Sequence, residues 1–140
     1  MPGYVINRLR EELDGRFSKG LRGSKILVVG LAYKKNVDDI RESPALTIIE
    51  ELEKIGASID YYDPYIPVVP QSRRHGAIAR KRYVSPSQPL LRSLDAALLI
   101  TDHDCIDYAF LVKNTRLIVD TRNVIAKLGL AEGSSNVVKA

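Results

Sequence analysis

The amino-acid sequence predicts an α/β fold, in which helices cover both faces of a parallel sheet and one further helix precedes the first strand. Short, continuously apolar runs at residues 26–29, 96–100 and 117–119 are typical of strands that are buried on both sides. Strand, helix and strand patterns follow one another up to residue 62, and the right-handed crossover of such a unit makes its strands parallel. The 140 residues suffice for about one domain with a substantial core.

The first predicted element is an amphipathic helix over residues 3–15. Its apolar side chains recur at spacings of three and four, whereas charged residues occupy the other faces. These apolar side chains are Ile6, Leu9 and Leu13. The Asp-Gly pair at 14–15 is a typical helix end, and a polar connector then leads to the first strand.

The second predicted helix follows a turn that is long and densely charged. Ser43 can cap a free N–H group with its hydroxyl, and Pro44 suits the first helical position. An apolar stripe then continues to Gly56, a typical helix terminator. Residues 57–62 form the next predicted strand.

A long surface loop is predicted over residues 63–89, because five prolines and a basic group leave no sustained period there. The basic residues are Arg73, Arg74, Arg80, Lys81 and Arg82. The loop is interpreted either as a solvated charged segment or as a contact with a neighbouring domain or subunit. A short strand is expected around residues 83–84.

The remaining elements are short. Helices are expected at residues 90–94 and 106–112, and they alternate with the two later apolar strands. Residues 124–140 are expected to form a closing segment and a tail of small residues.

Composition limits the classes of function. Hydrophobic and charged fractions of 45% and 27% are those of an ordinary globular protein. The net charge of +4 fits an anionic partner but is too small to indicate nucleic-acid binding, so no nucleic-acid partner is expected. No segment approaches the run of about 18 apolar residues that a membrane span needs, and a cytoplasmic protein without membrane partners is expected.

Polar segments follow three of the predicted strands, at residues 33–41, 101–104 and 120–123. Ligands of open parallel sheets bind at these carboxyl ends, where Lys34 or Lys35 could supply a charge for phosphate. Arg41 and Arg122 can make forked contacts with phosphate oxygens. The alternative is structural, with Arg41 pairing with Asp38 or Asp39 across the turn. Neither a G-x-G-x-x-G nor a P-loop motif occurs.

The segment "DHDC" at residues 102–105 is the other candidate for chemistry. Adjacent residues do not easily converge on one ion, so no metal site is expected. His103 is interpreted as a hydrogen-bonding residue at a strand end, and Cys105 as a small buried or half-buried side chain. The surrounding aspartates disfavour a thiolate, so no catalytic residue is assigned.

With these residues laid out, the chain resembles the C-terminal domain of the UDP-glucose/GDP-mannose dehydrogenase family. The resemblance rests on "MPGYVINRL", "LRGSKILVVGLAYKKNVDDIRESPA", "YYDPYIP", "LLITDHDCID" and "DTRNVI", in this order. The "VDDIRESP" form is most similar to the branch that acts on UDP-N-acetylhexosamines. The resemblance implies a Rossmann-like, three-layer domain, with residues 1–20 as the helix and connector after a central domain and residues 21–140 as the UDP-sugar-binding domain.

The resemblance also implies a function within a longer, homo-oligomeric parent enzyme. Family members oxidise the C6 alcohol of a UDP-sugar to a carboxylate with NAD, using an N-terminal domain and a catalytic cysteine that this chain lacks. The fragment alone is then expected to be inactive. Tyr33, Lys34 and Arg122 match residues that meet the UDP-sugar, and Arg41 matches an arginine that reaches NAD. A stand-alone nucleotide-binding module and an oligomerisation domain remain the alternatives.

Overall fold

A computed structural model describes residues 2–41, 43–73 and 75–140 of the chain. Met1, Glu42 and Arg74 lie outside the described residues, so the predicted basic group and the "RESP" motif are each described except for one residue.

The centre of the fold is a five-stranded parallel sheet with the strand order β2-β1-β3-β4-β5. The strands are β1 Lys25–Val29, β2 Ser58–Tyr62, β3 Ala96–Leu99, β4 Ile118–Asp120 and β5 Val137–Lys139. Since β2 and β3 flank β1 on opposite sides, the chain reverses its direction of travel across the sheet between β1 and β3.

Helices connect the strands and cover both faces of the sheet. They are α1 Pro2–Phe17, α2 Pro44–Ile55, α3 Gln88–Ser93, α4 Tyr108–Asn114 and α5 Val124–Lys127, with one 3₁₀ turn at Gly76–Ile78. Within the described part of the chain, no helix has the length and apolar character to cross a membrane.

Two hydrophobic clusters, one on each face, make the fold three-layered. In β1, Ile26 and Val28 pack into the cluster that includes α1 and α2. Leu27 and Val29 face the opposite cluster, which includes α3, α4 and α5. Strand side chains alternate between faces, so a sheet covered on both sides requires a continuously apolar strand. The predicted α/β fold with a parallel sheet and a preceding helix is therefore confirmed.

The ends of α2 follow the predicted signals. The Ser43 hydroxyl accepts a hydrogen bond from the Ala45 N–H at 3.2 Å, and Pro44 occupies the first turn. Gly56 ends the helix in the left-handed region, with φ of 109°. The Ser43 hydroxyl also donates to the Leu31 carbonyl oxygen at 2.5 Å, which fixes the amino terminus of α2 at the carboxyl edge of the sheet.

Three expectations need correction. The helix α1 continues to Phe17, beyond the expected end at residues 14–15. No strand forms at residues 83–84; Arg82 instead makes an isolated bridge with Val68. The closing segment contains α5 and β5, which were not predicted because elements of four and three residues are too short to show a period.

The long loop after β2 is tied to the body of the domain. The Tyr61 hydroxyl is within 2.8 Å of the Ile66 carbonyl oxygen and 3.2 Å of the Lys81 carbonyl oxygen. Burial raises the pKa of Tyr61 to about 12, so this donor stays protonated. Further along the loop, His75 contacts the Glu50 carboxylate of α2.

Candidate functional site

The carboxyl edge of the sheet carries the polar segments that the sequence singled out. The turn over residues 30–41, which we call the signature turn, leaves β1 at the point where the strand order reverses. The segment after β3 lies beside it, because β1 and β3 are paired. Crevices at such reversals are the usual ligand sites of open α/β sheets.

Gly30 allows the signature turn to begin very close to the segment after β3. Its φ is +89°, and a Cβ atom added there would lie 2.5 Å from the Cβ and carbonyl oxygen of Thr101. The Thr101 hydroxyl, in turn, donates to the Ala32 carbonyl oxygen at 2.6 Å. A side chain at position 30 would therefore separate the two loops.

A buried carboxylate, Asp63, organises the start of the turn. Its Oδ2 accepts hydrogen bonds from the N–H groups of Leu31 at 2.8 Å and Ala32 at 3.1 Å. The same oxygen lies 2.9 Å from Nε2 of His103, while Oδ1 accepts from the Tyr65 N–H at 2.9 Å. Burial acts to raise the pKa of Asp63, but these hydrogen bonds outweigh it and hold the pKa below its ordinary value.

His103 links this carboxylate to the middle of the signature turn. Its Nδ1 accepts a hydrogen bond from the Asn36 N–H at 2.7 Å, so Nδ1 carries no proton. Nε2 must then carry the proton and donate it to Asp63. The Tyr108 hydroxyl donates to the His103 carbonyl oxygen at 2.6 Å, which fixes the backbone of the same residue.

Asn36 closes the turn against the segment after β3. It adopts a φ of 64°, a left-handed conformation that asparagine tolerates better than most residues. Its side chain donates to the Asp104 carboxylate at 2.7 Å and accepts from the Asp104 N–H at 2.9 Å. Lys35 lies 3.7 Å from the same carboxylate.

Tyr33, Lys34 and Arg41 all lie on the exposed surface of the signature turn. The Tyr33 N–H donates to the Asp39 carbonyl oxygen at 2.7 Å, and the Tyr33 side chain is exposed. Hydrogen bonds from Arg41, together with a smaller effect of the Lys34 charge, lower the pKa of Asp39 to about 2. These three predicted residues are thus brought together.

Arg41 makes a forked contact with Asp39, as the structural alternative predicts. Its Nε and Nη2 atoms lie 3.1 Å and 2.9 Å from the two carboxylate oxygens. The Arg41 side chain is nevertheless 88% exposed. The ion pair therefore orients a guanidinium group at the surface.

Arg122 lies beyond the end of β4. Its Nε donates to the Ile100 carbonyl oxygen at 2.9 Å, and its N–H donates to Asp120 at 2.9 Å. It lines a pocket of about 180 Å³ with Pro44 and Ile48 of α2 and with the start of α1.

Two features of this edge differ from the sequence interpretation. Cys105 is exposed, not buried or half-buried, because it lines an open groove beside Tyr62 and Phe110. Asp63 was missed altogether, although an acidic residue directly after a strand at this edge is a usable signal. The assignment of His103 as a hydrogen-bonding residue at a strand end is confirmed.

Comparison with known proteins identifies the family of the chain. The sequence model described as "UDP-glucose/GDP-mannose dehydrogenase family, UDP binding domain" matches residues 27–127. The chain belongs to the UDP-glucose/GDP-mannose dehydrogenase family. The matched range begins within β1, ends with α5 and includes β2, β3 and β4, and the resemblance drawn from the sequence motifs is confirmed.

Curated relatives in this family are much longer than the chain. A UDP-glucose 6-dehydrogenase of Haloferax volcanii is 32% identical over 129 residues, which are 90% of this chain and 28% of the relative. A UDP-glucose 6-dehydrogenase of Rhizobium meliloti is 34% identical, with 76% and 25% covered. A UDP-N-acetyl-D-mannosamine dehydrogenase of Methanococcus maripaludis is 29% identical, with 89% and 28% covered. The chain spans about a quarter of their length.

Solved structures of the family share the fold. The UDP-D-ManNAc dehydrogenase from Pyrococcus horikoshii superposes with a TM-score of 0.67 at 26% identity, covering 89% of this chain and 27% of that one. A UDP-glucose dehydrogenase from Pyrobaculum islandicum gives 0.69 at 27% identity, covering 97% and 29%. The Rossmann-like fold is thus that of dehydrogenase domains.

Proposed function

We propose that the chain is the UDP-sugar-binding domain of an NAD-dependent nucleotide-sugar 6-dehydrogenase, and that it binds the diphosphate of UDP at the signature turn. The observation that carries the proposal is the position of the turn. It presents Tyr33 and Lys34 at the strand-order reversal, where parallel sheets bind nucleotides, and the family model that matches there is named for UDP binding.

A charged side chain and an aromatic side chain of the signature turn would both contact the ligand. Lys34 would supply a cation to a phosphate oxygen, and the exposed Tyr33 ring would contact the nucleotide or sugar. Arg122 would contact the ligand from its pocket between the sheet edge and α2. Hydrogen bonds to charged groups contribute roughly 1.5–3 kcal/mol each. The domain would thus orient the sugar for chemistry carried by other parts of the enzyme.

NAD would be held mainly by another domain, because this chain lacks the glycine-rich fingerprint of a dinucleotide site. The orientation of Arg41 fits the lesser role of contacting the cofactor from across a cleft, since its ion pair with Asp39 presents the guanidinium at the surface. NAD supplies the hydride acceptor. The chain alone would therefore produce no NADH from a UDP-sugar, and the assembled enzyme would be a homo-oligomer.

The test is a titration of the purified chain with UDP, followed by amide NMR, and with uridine as the ligand that lacks phosphate. We expect UDP to shift the amide signals of residues 33–36 and uridine to shift them far less. Lys34→Ala should weaken UDP binding about tenfold to a hundredfold. Lys35→Ala is the matched control, because Lys35 pairs with Asp104, and it should have a smaller effect.

The titration also distinguishes the proposal from an oligomerisation domain. An oligomerisation domain would show no UDP-dependent shifts at the signature turn at any accessible concentration. Equal losses of affinity in the Lys34 and Lys35 variants would refute the assignment of Lys34. Titration with UDP-glucose and UDP-N-acetylglucosamine compares the substrate classes, and tighter binding of the N-acetylated sugar would support the UDP-N-acetylhexosamine branch.

A further inference from the structure

The Asp63 and His103 side chains form a buried polar pair, and three of the four hydrogen bonds that they make beyond the pair lead to the signature turn. We propose that His103 is a positioning residue, held in one tautomer by Asp63, which fixes the backbone around Tyr33 and Lys34 for ligand binding. This inference deepens the proposed function and rests on it for the identity of the ligand.

The pair connects three loops at one point. Both side chains are fully buried, with 0% exposure, and lie 2.9 Å apart. Through Asp63 the pair contacts the start of the signature turn and the segment after β2, and through its own backbone His103 belongs to the segment after β3. Movement of any one loop would therefore break hydrogen bonds in the other two.

The anchors lie on both sides of the proposed ligand contacts. Ala32 is held by Asp63, one residue before Tyr33. Asn36 is held by His103, two residues after Lys34. The exposed residues 33–35 thus lie between two residues whose backbone is held by hydrogen bonds, which restricts the directions that their side chains can take.

Only one protonation state of His103 satisfies both neighbours. The Asn36 N–H is a donor, so Nδ1 must be an unprotonated acceptor, and the proton resides on Nε2 facing Asp63. In the opposite tautomer, an N–H group would face the Asn36 N–H, and Nε2 would face the carboxylate without a proton. Asp63 therefore selects the tautomer that holds the turn.

The cost of burying this pair argues that it does more than fill the core. An apolar pair of similar volume is often as stable as a buried ionic or polar pair, or more stable. A polar pair in this position can, however, satisfy the backbone N–H groups of an irregular turn, which an apolar pair cannot. Its specific contribution is thus the conformation of the signature turn.

Two substitutions test the hydrogen bonds of the two His103 ring nitrogens separately. His103→Asn places an amide oxygen near the position of Nδ1 and can still accept from Asn36, whereas His103→Gln places an amide group near Nε2 and can still donate to Asp63. His75→Gln is the control, because the chain's other histidine contacts Glu50 on α2, away from the turn. The three variants and the unsubstituted chain are compared by NMR at neutral pH.

We expect the imidazole nitrogen spectrum of the unsubstituted chain to show that Nε2 of His103 is protonated and Nδ1 is not. Hydrogen exchange of the Asn36 amide should accelerate at least about fivefold in His103→Gln and less in His103→Asn, with no change in His75→Gln. The opposite tautomer, or equal exchange in His103→Gln and the parent, would overturn the proposal.

UDP titration of the same proteins measures the consequence for binding. The affinity of His103→Gln should fall at least about fivefold while the amide signals of α1 keep their positions, and His103→Asn should recover part of the loss. Unchanged UDP affinity in His103→Gln would overturn the positioning role. If the unsubstituted chain shows no response to UDP, the proposed function fails. The tautomer and the hydrogen-exchange results still decide whether His103 holds the turn.

Discussion

Replacement of Gly30 by alanine tests whether the close approach of the signature turn to the segment after β3 supports the whole carboxyl edge. In the structure, a Cβ atom at this position would lie 2.5 Å from both the Cβ and the carbonyl oxygen of Thr101 and 2.7 Å from its N atom. Two of these three atoms belong to the backbone, so a change of side-chain rotamer cannot relieve the overlap. The loops would have to separate.

The expected cost has two parts. A left-handed backbone, here with φ of +89°, costs a residue with a Cβ roughly 1–2 kcal/mol. Overpacking in a filled region adds about 1–3 kcal/mol. Gly23→Ala is the matched control, because Gly23 has a φ of +81° but no atom within 4 Å of the added Cβ, so only the first part applies.

Urea-induced unfolding of both variants measures these costs. We expect Gly30→Ala to lose roughly 2–5 kcal/mol of unfolding free energy and Gly23→Ala about 1–2 kcal/mol, with similar denaturant slopes. Gly30→Ala should also disturb the amide signals of the segment after β3. Equal losses in the two variants would refute the reasoning, since the contact with Thr101 would then contribute nothing.

Two other predictions concern the groups that hold the signature turn. Asp63→Asn should cost roughly 1.5–3 kcal/mol at neutral pH. The folded protein holds the pKa of Asp63 below 3.8, so the contribution of its carboxylate to the unfolding free energy is present above that pH and is lost as the pH falls further. The variant should therefore lose less stability in acid than the unsubstituted chain. An unchanged acid unfolding profile would contradict this. Ser43→Ala removes the hydrogen bonds to Leu31 and Ala45 and should lower the unfolding free energy by about 1–2 kcal/mol in urea. The control is Ser87→Ala at the exposed cap of α3, which should cost less. Comparable losses would argue against a special role of the α2 cap.

Much of the fold could be predicted because its signals are local. The apolar runs of β1 and β3 are buried on both faces, and the serine, proline and glycine around α2 each act on the backbone next to them. The short β5 strand could not be predicted, since it has only three residues and is recognised by its pairing with β4. Strand pairing of so few residues has no periodic signal of its own.

The candidate site was predicted in part. The strand-end rule located the charged turn and the exposed Tyr33 and Lys34, and the motifs indicated the family. The binding roles of Tyr33, Lys34, Arg41 and Arg122 stay predictions. The exposure of Cys105 was wrongly predicted, because solvent access depends on how the loops beside it are packed.

The sequence by itself determined the parallel α/β fold and the placement of a charged turn at its carboxyl edge, because periodicity and capping act over a few residues. Only the tertiary structure decided how that turn is held. Asp63 and His103 are separated by forty positions along the chain and meet because β2 and β3 flank β1. Their hydrogen bonds exist only after the sheet has formed, so no local pattern records them.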